Sequence, residues 1–265
     1  MYIVVSIRVL VKDVVMEFVE VEFNMTELVI DYPVKYTSLS QGDITFVLAH
    51  LYLKNVDYKQ QIDFLKKSGR PLMLDNGAWE FGSSMPPRDY LKIIQELEPN
   101  YAVIPDVYMN TIQSEKMTMD FMEMYNEDID TELMFVPQGN NAEEVIESYN
   151  SMVDKMGMFF DVLAVAKHIG SWANRVSFTD ELMSQIYEPV KNVHFLGFWN
   201  WDELEQPKYG DWELQSIDTK YPVKSAYGEK FNSQLDYYNT DKVLDLDAFQ
   251  VEVASFQDDL VNRGW

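Results

Sequence analysis

The chain alternates short apolar runs with longer stretches of helical periodicity, and the repeat is roughly thirty residues long, the length of a βα unit. The apolar runs begin near Ile44, Pro71, Tyr101, Leu133, Asp161, Val193 and Leu214. Helical periodicity covers Tyr58–Lys67, Pro87–Glu98, Thr111–Tyr125, Ala142–Met156 and Thr179–Tyr187. This alternation restricts the chain to an α/β fold built around a parallel sheet.

The β-branched run Ile3–Val11 adds an eighth strand to these seven. Eight strands in 265 residues predict a single-domain (β/α)₈ TIM-type barrel. A doubly wound open sheet is the alternative, because periodicity does not distinguish the two topologies. The first strand is not followed by a glycine-rich GxGxxG turn, which favours the barrel.

Both ends of the chain extend this single domain, residues 1–265. Residues 1–43 form an N-terminal strand and hairpin region, in which Val14–Phe23 pairs with the first strand through a turn near Lys12 and Asp13. Residues 44–242 hold the βα units, and residues 243–265 form a C-terminal helix that covers the barrel wall. The apolar side of that helix comprises Leu244, Leu246, Phe249, Val253, Phe256 and Leu260.

Composition limits the chemistry. The chain has no cysteine, so disulfides, thiolate metal sites and a cysteine nucleophile are excluded. A net charge of −23 repels polyanions at long range and favours an enzyme of small molecules. We find no span for a bilayer and no secretory signal, and therefore expect a cytoplasmic protein that does not contact membranes.

Three of the predicted strands end in aspartates: Asp75 in LMLDNGAWEFG, Asp106 in AVIPDVYMN and Asp218 in LQSIDTKYPV. The carboxyl ends of parallel strands meet at one face of a barrel, where active sites lie. We therefore expect the three carboxylates to converge on one pocket.

Basic residues also follow strands on that face. Lys167, His168 and Arg175 follow one strand, and Lys220 and Lys224 follow the strand that ends at Asp218. Two interpretations remain open: a local positive groove that binds phosphates on an acidic protein, or scattered, solvated side chains.

Six segments between Leu72 and Gly228 together resemble the tRNA-guanine transglycosylases, and most of all their short phage-encoded relatives that place 7-deazaguanines in DNA. The segments are LMLDNGAWEFG, AVIPDVYMN, FVPQGNNAEEV, LAVAKHIGSWANR, VHFLGFWN and SIDTKYPVKSAYG. The first resembles a family strand that ends in Asp-Ser-Gly-Gly-Phe, from which Asn76, Ala78 and Trp79 depart. The tRNA enzymes also carry a cysteine-rich zinc insertion that this chain lacks.

The resemblance implies a base exchange that needs no cofactor. Asp218 would attack the anomeric carbon of the sugar, and Asp75 would protonate the departing guanine. Asp106 would accept hydrogen bonds from the N–H groups of the base, while the Gln138 amide and the Gly139 N–H would donate to its carbonyl oxygen.

The same resemblance suggests the partners. Trp79 or Tyr108 would stack on the base, which would be flipped out of a duplex or reached in a single strand. The polymer would be DNA rather than tRNA, and the incoming base 7-cyano- or 7-aminomethyl-7-deazaguanine. An accessory protein that supplies the missing basic surface is a further hypothesis.

Other functions remain open from the residues alone. Paired acids on a barrel rim also occur in glycoside hydrolases, three aspartates suit a Mg²⁺ site, and a barrel can serve only in binding. Asp75 could simply cap a turn and Asp106 a helix, and Gln138 could lie in a surface turn. His168 could be structural, and His50 and His194 are interpreted as structural.

Overall fold

The computed structural model describes residues 2–6, 20–125, 129–171, 173–198, 200–206, 208–228, 231 and 234–265. Eight parallel strands form a closed barrel in which neighbours follow one another along the chain, and the last strand pairs with the first to close it. The predicted (β/α)₈ barrel is therefore confirmed, and the open sheet is not formed.

The barrel strands are β3 (Glu27–Ile30), β4 (Ile44–Leu48), β5 (Leu72–Asp75), β6 (Tyr101–Val103), β7 (Glu132–Phe135), β8 (Val162–Val165), β9 (Asn192–Phe195) and β10 (Glu213–Thr219). They are short and apolar because helices cover the outside and side chains fill the inside, so both faces are buried. All residues of β4, β5 and β8 are buried.

The first barrel strand differs from the prediction. Ile3–Val11 was expected to supply it, but β1 (Tyr2–Ser6) pairs antiparallel with β2 (Glu20–Asn24) in a separate two-stranded sheet. That prediction is wrong, because the barrel takes the shorter run Glu27–Ile30 instead, with Ile217 of β10 opposite Leu28. The expected antiparallel pair is present, while its connection, residues 7–19, lies outside the described residues.

Helices connect the strands. They are α1 (Ala49–Lys54), α2 (Val56–Lys67), α3 (Ala78–Phe81), α4 (Pro87–Leu97), α5 (Thr111–Met122), α6 (Ala142–Met156), α7 (Arg175–Gln185), α8 (Tyr221–Tyr227), α9 (Gln234–Tyr238) and α10 (Leu246–Asn262). Short 3₁₀ helices lie at Val34–Leu39, Lys167–Ser171 and Trp201–Leu204. The five predicted helices are present, and α7 begins four residues early because Asn174 caps it by accepting from the N–H groups of Val176 and Ser177.

The C-terminal helix covers the barrel as predicted. Phe249, Val253, Phe256 and Leu260 of α10 are buried, whereas Leu246 is exposed. The helix begins after Asp245, whose carboxylate accepts a hydrogen bond from the Ala248 N–H. In the part of the chain that the structure describes, no helix is both long and apolar enough to span a membrane.

Candidate active site

A cavity of about 600 Å³ opens at the carboxyl ends of the barrel strands. Its acidic lining consists of Asp31, Asp75, Glu80, Asp106 and Asp218, and its basic lining of Lys167, Lys220 and Lys224. The three predicted aspartates therefore meet in one cavity, as the strand-end pattern indicates. A volume of this size suits a small molecule or a flipped nucleotide.

Asp75 is the last residue of β5 and shapes the turn that follows. Its Oδ2 accepts a hydrogen bond from the Gly77 N–H at 2.8 Å, and the next side chain, Asn76, accepts from the Ala78 N–H at 2.8 Å. Gly77 has φ of 80°, a left-handed conformation that favours glycine. Asp75 thus caps the turn and lines the cavity at once.

Burial makes Asp75 a weaker acid than a solvated aspartate. Desolvation raises the pKa of the Asp75 carboxyl well above its ordinary value, and the neighbouring Glu80 raises it further. The Gly77 N–H lowers this pKa, while Asp218 and Asp106 add smaller upward effects. A protonated carboxyl in the cavity can donate a proton to a bound molecule.

Asp106 is held by two side-chain amides. Its Oδ1 accepts from Asn76 Nδ2 at 2.7 Å, and its Oδ2 accepts from Gln138 Nε2. Burial raises the pKa of Asp106 to about 6, and these two hydrogen bonds oppose the rise. Near neutral pH the side chain is therefore largely an ionised acceptor in a fixed orientation.

The position of Gln138 follows from the start of α6. A Cβ on Gly139 would lie 2.7 Å from the Val145 nitrogen, so only glycine lets the chain approach the helix this closely. Asn141 caps α6 by accepting from the Glu144 N–H at 3.0 Å. Gln138 Oε1 accepts from the Met109 N–H at 2.9 Å, which fixes the direction of the amide.

Asp218 lies near the end of β10 and is anchored through one oxygen. Oδ1 accepts from the Gly197 N–H at 2.7 Å and contacts His194 Nε2 at 3.1 Å. The second oxygen, Oδ2, accepts no hydrogen bond from the residues that the structure describes. The carboxylate therefore combines a fixed orientation with one oxygen available to a ligand.

The three lysines line the same cavity but differ in their contacts and surroundings. Lys220 Nζ lies 3.0 Å from Asp31 Oδ2 and faces the ring of Tyr238 at 4.5 Å. Burial lowers the pKa of Lys167, and the charges of Lys224 and Lys220 lower it further. Burial and Lys220 also lower the pKa of Lys224. Three amines that line one cavity favour the binding of an anionic group.

The two predicted stacking residues meet at the mouth of the cavity. The rings of Trp79 and Tyr108 are perpendicular, with centroids 5.1 Å apart. Trp79 is 46% exposed, and Lys167 Nζ lies 5.8 Å from its ring centroid. Both aromatic rings line the cavity and leave a surface for a flat ligand.

Three predicted binding residues do not line the cavity: Gly139, His168 and Arg175. Arg175 is fully buried, pairs with Glu203, and donates from Nη1 to the carbonyls of Val165 at 3.2 Å and Leu196 at 2.7 Å. Its prediction as a phosphate contact is wrong, because the guanidinium is committed to the barrel wall. His168 is buried and contacts the Gly139 carbonyl through Nε2 at 3.1 Å, which supports its structural interpretation.

Sequence reasoning missed four residues at this site. Asp31 directly follows the apolar run Glu27–Ile30, so the strand-end pattern would have found it if that strand had been assigned. Asn76 and Glu80 lie beside Asp75, where spacing alone gives no sign of their contacts. His194 is interpreted as structural from the sequence, yet its Nε2 lies 3.1 Å from Asp218 Oδ1.

Among the described residues, no group of three or more histidines, aspartates and glutamates is arranged to hold a metal ion. No protein-family model matches the chain, and no curated protein matches it either. The geometry of the cavity is therefore the basis for any functional argument.

Proposed function

We propose that the protein is a guanine transglycosylase, a pentosyltransferase that replaces guanine in DNA with a 7-deazaguanine derivative through a covalent aspartyl-sugar intermediate. The observation that carries the proposal is the state of Asp218 in the cavity. Two donors hold Oδ1, and Oδ2 accepts no hydrogen bond from a described residue. A fixed carboxylate with one available oxygen suits nucleophilic attack on a sugar.

In the first step, Asp218 Oδ2 forms a bond to the anomeric carbon while the bond from that carbon to guanine breaks. The bonding electrons leave with guanine, and Asp75 supplies the proton that neutralises the leaving base. In the second step, the incoming 7-deazaguanine gives a proton to Asp75 and attacks the same carbon, which releases Asp218. Two displacements retain the β configuration.

The raised pKa of Asp75 supports its role as the acid. A carboxyl whose pKa is raised keeps its proton to higher pH, so it can act as a general acid and then, once deprotonated, as the base of the second step. Glu80 contributes to the raised pKa through its charge. In this proposal Asp75 and Asp218 perform different tasks because their surroundings differ.

Base recognition is assigned to Asp106 and Gln138. Ionised Asp106 accepts from the ring N–H and the amino group of guanine, groups that only an acceptor can satisfy. Gln138 Nε2 uses one of its two hydrogens on Asp106, and the second donates to the carbonyl oxygen of the base. Trp79 or Tyr108 stacks on the base, which stabilises binding by about 1–3 kcal/mol.

The polymer is inferred to be DNA rather than tRNA, because a chain without cysteine lacks the zinc insertion of the tRNA enzymes that it resembles. The amines of Lys167, Lys220 and Lys224 would meet phosphates next to a flipped guanosine. A protein with a net charge of −23 has little other attraction for DNA, and we propose that an accessory protein increases its affinity for DNA.

The proposal is tested by incubating the purified protein with duplex DNA, single-stranded DNA or tRNA and either 7-cyano- or 7-aminomethyl-7-deazaguanine. Mass spectrometry of the nucleosides measures incorporation by the wild type and by Asp218→Asn. We expect incorporation into DNA by the wild type and none by Asp218→Asn. Release of guanine without incorporation would instead indicate a hydrolase, and equal incorporation by both proteins would remove Asp218 from the mechanism.

A further inference from the structure

His194 lies where it can control the orientation of Asp218. Strand β9 pairs with β10 so that His194 is opposite Ser216, after a shift of register between Leu214 and Ser216. Because successive side chains of a strand point to opposite faces, Ser216 and Asp218 project on the same side of β10. His194 Nδ1 lies 2.8 Å from Ser216 Oγ, and Nε2 lies 3.1 Å from Asp218 Oδ1.

The acceptor at the end of this hydrogen-bonded series, the Asp218 carboxylate, determines which atoms carry the hydrogens. An ionised carboxylate only accepts hydrogen bonds, so His194 Nε2 carries the hydrogen that reaches Asp218. In the neutral ring Nδ1 is then an acceptor, and the Ser216 hydroxyl donates to it. His194 is completely buried and Ser216 is nearly so, which leaves water little opportunity to replace either partner.

Two donors on one oxygen fix the carboxylate. The Gly197 N–H is part of the backbone, and its position is set by a glycine with φ of 69°. His194 approaches the same oxygen from the neighbouring strand. Rotation of the carboxylate about its Cβ–Cγ bond would break both contacts, so they keep Oδ1 occupied and Oδ2 available.

We propose that His194, oriented by Ser216, is a positioning residue that presents Oδ2 of Asp218 to the anomeric carbon. The inference rests on the proposed function. His194 touches neither the base nor the sugar in this account, and it acts only through Asp218. Its loss slows formation of the aspartyl-sugar bond and leaves the affinity for nucleic acid unchanged.

The kinetic test compares two substitutions of similar size. His194→Gln keeps an amide N–H in place of the ring Nε2, whereas His194→Met keeps the volume and removes the donor. We expect His194→Met to lower kcat about 10- to 100-fold, the effect of one hydrogen bond to a charged group. KM for the nucleic acid should stay within about twofold, and His194→Gln should restore most of the rate.

Ser216→Ala provides a second variant if His194→Met does not fold. It leaves the ring in place but removes the donor to Nδ1, and we expect a smaller fall in kcat in the same direction. The double variant His194→Gln/Ser216→Ala should be slower than His194→Gln, since the amide oxygen also loses its partner. Equal loss of rate in the Gln and Met variants, or a full rate in a folded Met variant, would overturn the proposal.

A spectroscopic measurement separates this inference from the proposed function. The chain has three histidines, so the imidazole ¹⁵N resonances of labelled protein are assignable by substitution. We expect His194 to carry its hydrogen on Nε2 and this resonance to move in Asp218→Asn. A hydrogen on Nδ1 alone would refute the positioning role even if base exchange were observed. A hydrogen on Nε2 without base exchange would refute the proposed function, while the hydrogen bond by which His194 anchors the Asp218 carboxylate would be confirmed.

Discussion

The two ends of the barrel each contain an acidic cavity, and the carboxylates in the two cavities differ in their hydrogen-bond contacts. The cavity at the carboxyl ends has a volume of about 600 Å³ and the one at the amino ends about 680 Å³. The strand-initial residues Glu27, Glu132 and Glu213 line the second cavity together with Glu205, so four acids there compare with five in the first. Number of acids and volume therefore do not distinguish the two ends.

The contacts of the carboxylates do distinguish them. At the carboxyl ends, Asp106 and Asp218 accept hydrogen bonds from amides, a backbone N–H and an imidazole, which set their orientation. At the amino ends, Glu213 pairs with Lys191 at 2.8 Å, and Glu27 Oε2 is buried with no partner among the described residues. The first cavity also contains an ion pair, Lys220 with Asp31, and a buried Glu80 oxygen without a partner among the described residues, so the contrast lies in Asp106 and Asp218. Because neutral donors orient these two carboxylates, we propose the first cavity as the site of chemistry.

The largest effect that we predict compares Asp75 with Glu132. Burial raises the pKa of both carboxyls, but Asp75 lines the cavity at the carboxyl ends of the strands and Glu132 the cavity at the amino ends. Asp75→Asn should lower the rate of base exchange about 10²- to 10⁴-fold by removing the general acid. Glu132→Gln should leave the rate unchanged. Exchange rates of the two purified variants test the contrast, and an equal loss in both would break it.

We also predict that Asp75→Asn does not lower the stability of the protein. A carboxyl whose pKa is raised by folding stabilises the native state at low pH, and this stabilisation disappears as the pH rises through the raised pKa. At pH 8 the Asp75 carboxyl therefore disfavours folding, and an asparagine does not. Chemical denaturation at pH 8 should give Asp75→Asn an unfolding free energy equal to or above that of the wild type. A clear decrease would mean that the turn needs the carboxylate.

The buried pair Arg175 and Glu203 supplies the next contrast. Arg175→Met should destabilise the protein by about 3–5 kcal/mol, since the carboxylate of Glu203 would remain buried without its partner. Lys66→Met, which breaks a surface pair with Glu98, should cost less than about 1 kcal/mol. Urea unfolding of both variants measures the difference. Similar values would show that Arg175 does not hold the ends of β8 and β9 together.

The smallest effect concerns pH. Asp106 must be ionised to accept hydrogen bonds from guanine, so kcat/KM should decrease as the pH is lowered past about 6. Gln138→Met removes a donor that stabilises the ionised form, and the acid limb should move to higher pH. The profile of Glu132→Gln should match that of the wild type. A shift of the Gln138→Met limb to lower pH would contradict the role of Gln138.

The fold and three site aspartates could be predicted because both follow from periodicity. Asp75, Asp106 and Asp218 follow apolar runs, and parallel strands bring such positions to one end. Asp31 obeys the same rule but was missed, because the longer run Ile3–Val11 was assigned as the eighth strand in place of Glu27–Ile30.

The remaining contacts depend on register and packing, which a single sequence does not contain. His194 meets Ser216 and Asp218 only because β10 shifts its pairing after Leu214. Because Arg175 follows β8, the sequence predicts it at the carboxyl ends of the strands, yet it begins α7 and its guanidinium lies in the barrel wall. Order along the chain predicts the end of the barrel at which a residue lies, but not the direction of its side chain.

The central claim is that Asp218 forms a covalent bond to the sugar, and trapping that bond tests it most directly. The protein is incubated with a guanine-containing oligonucleotide of the polymer that supports exchange, then denatured, digested and analysed by mass spectrometry. We predict a peptide containing Asp218 that carries the oligonucleotide minus guanine, absent from Asp218→Asn. Base exchange without any adduct, or an adduct on another residue, would contradict the account.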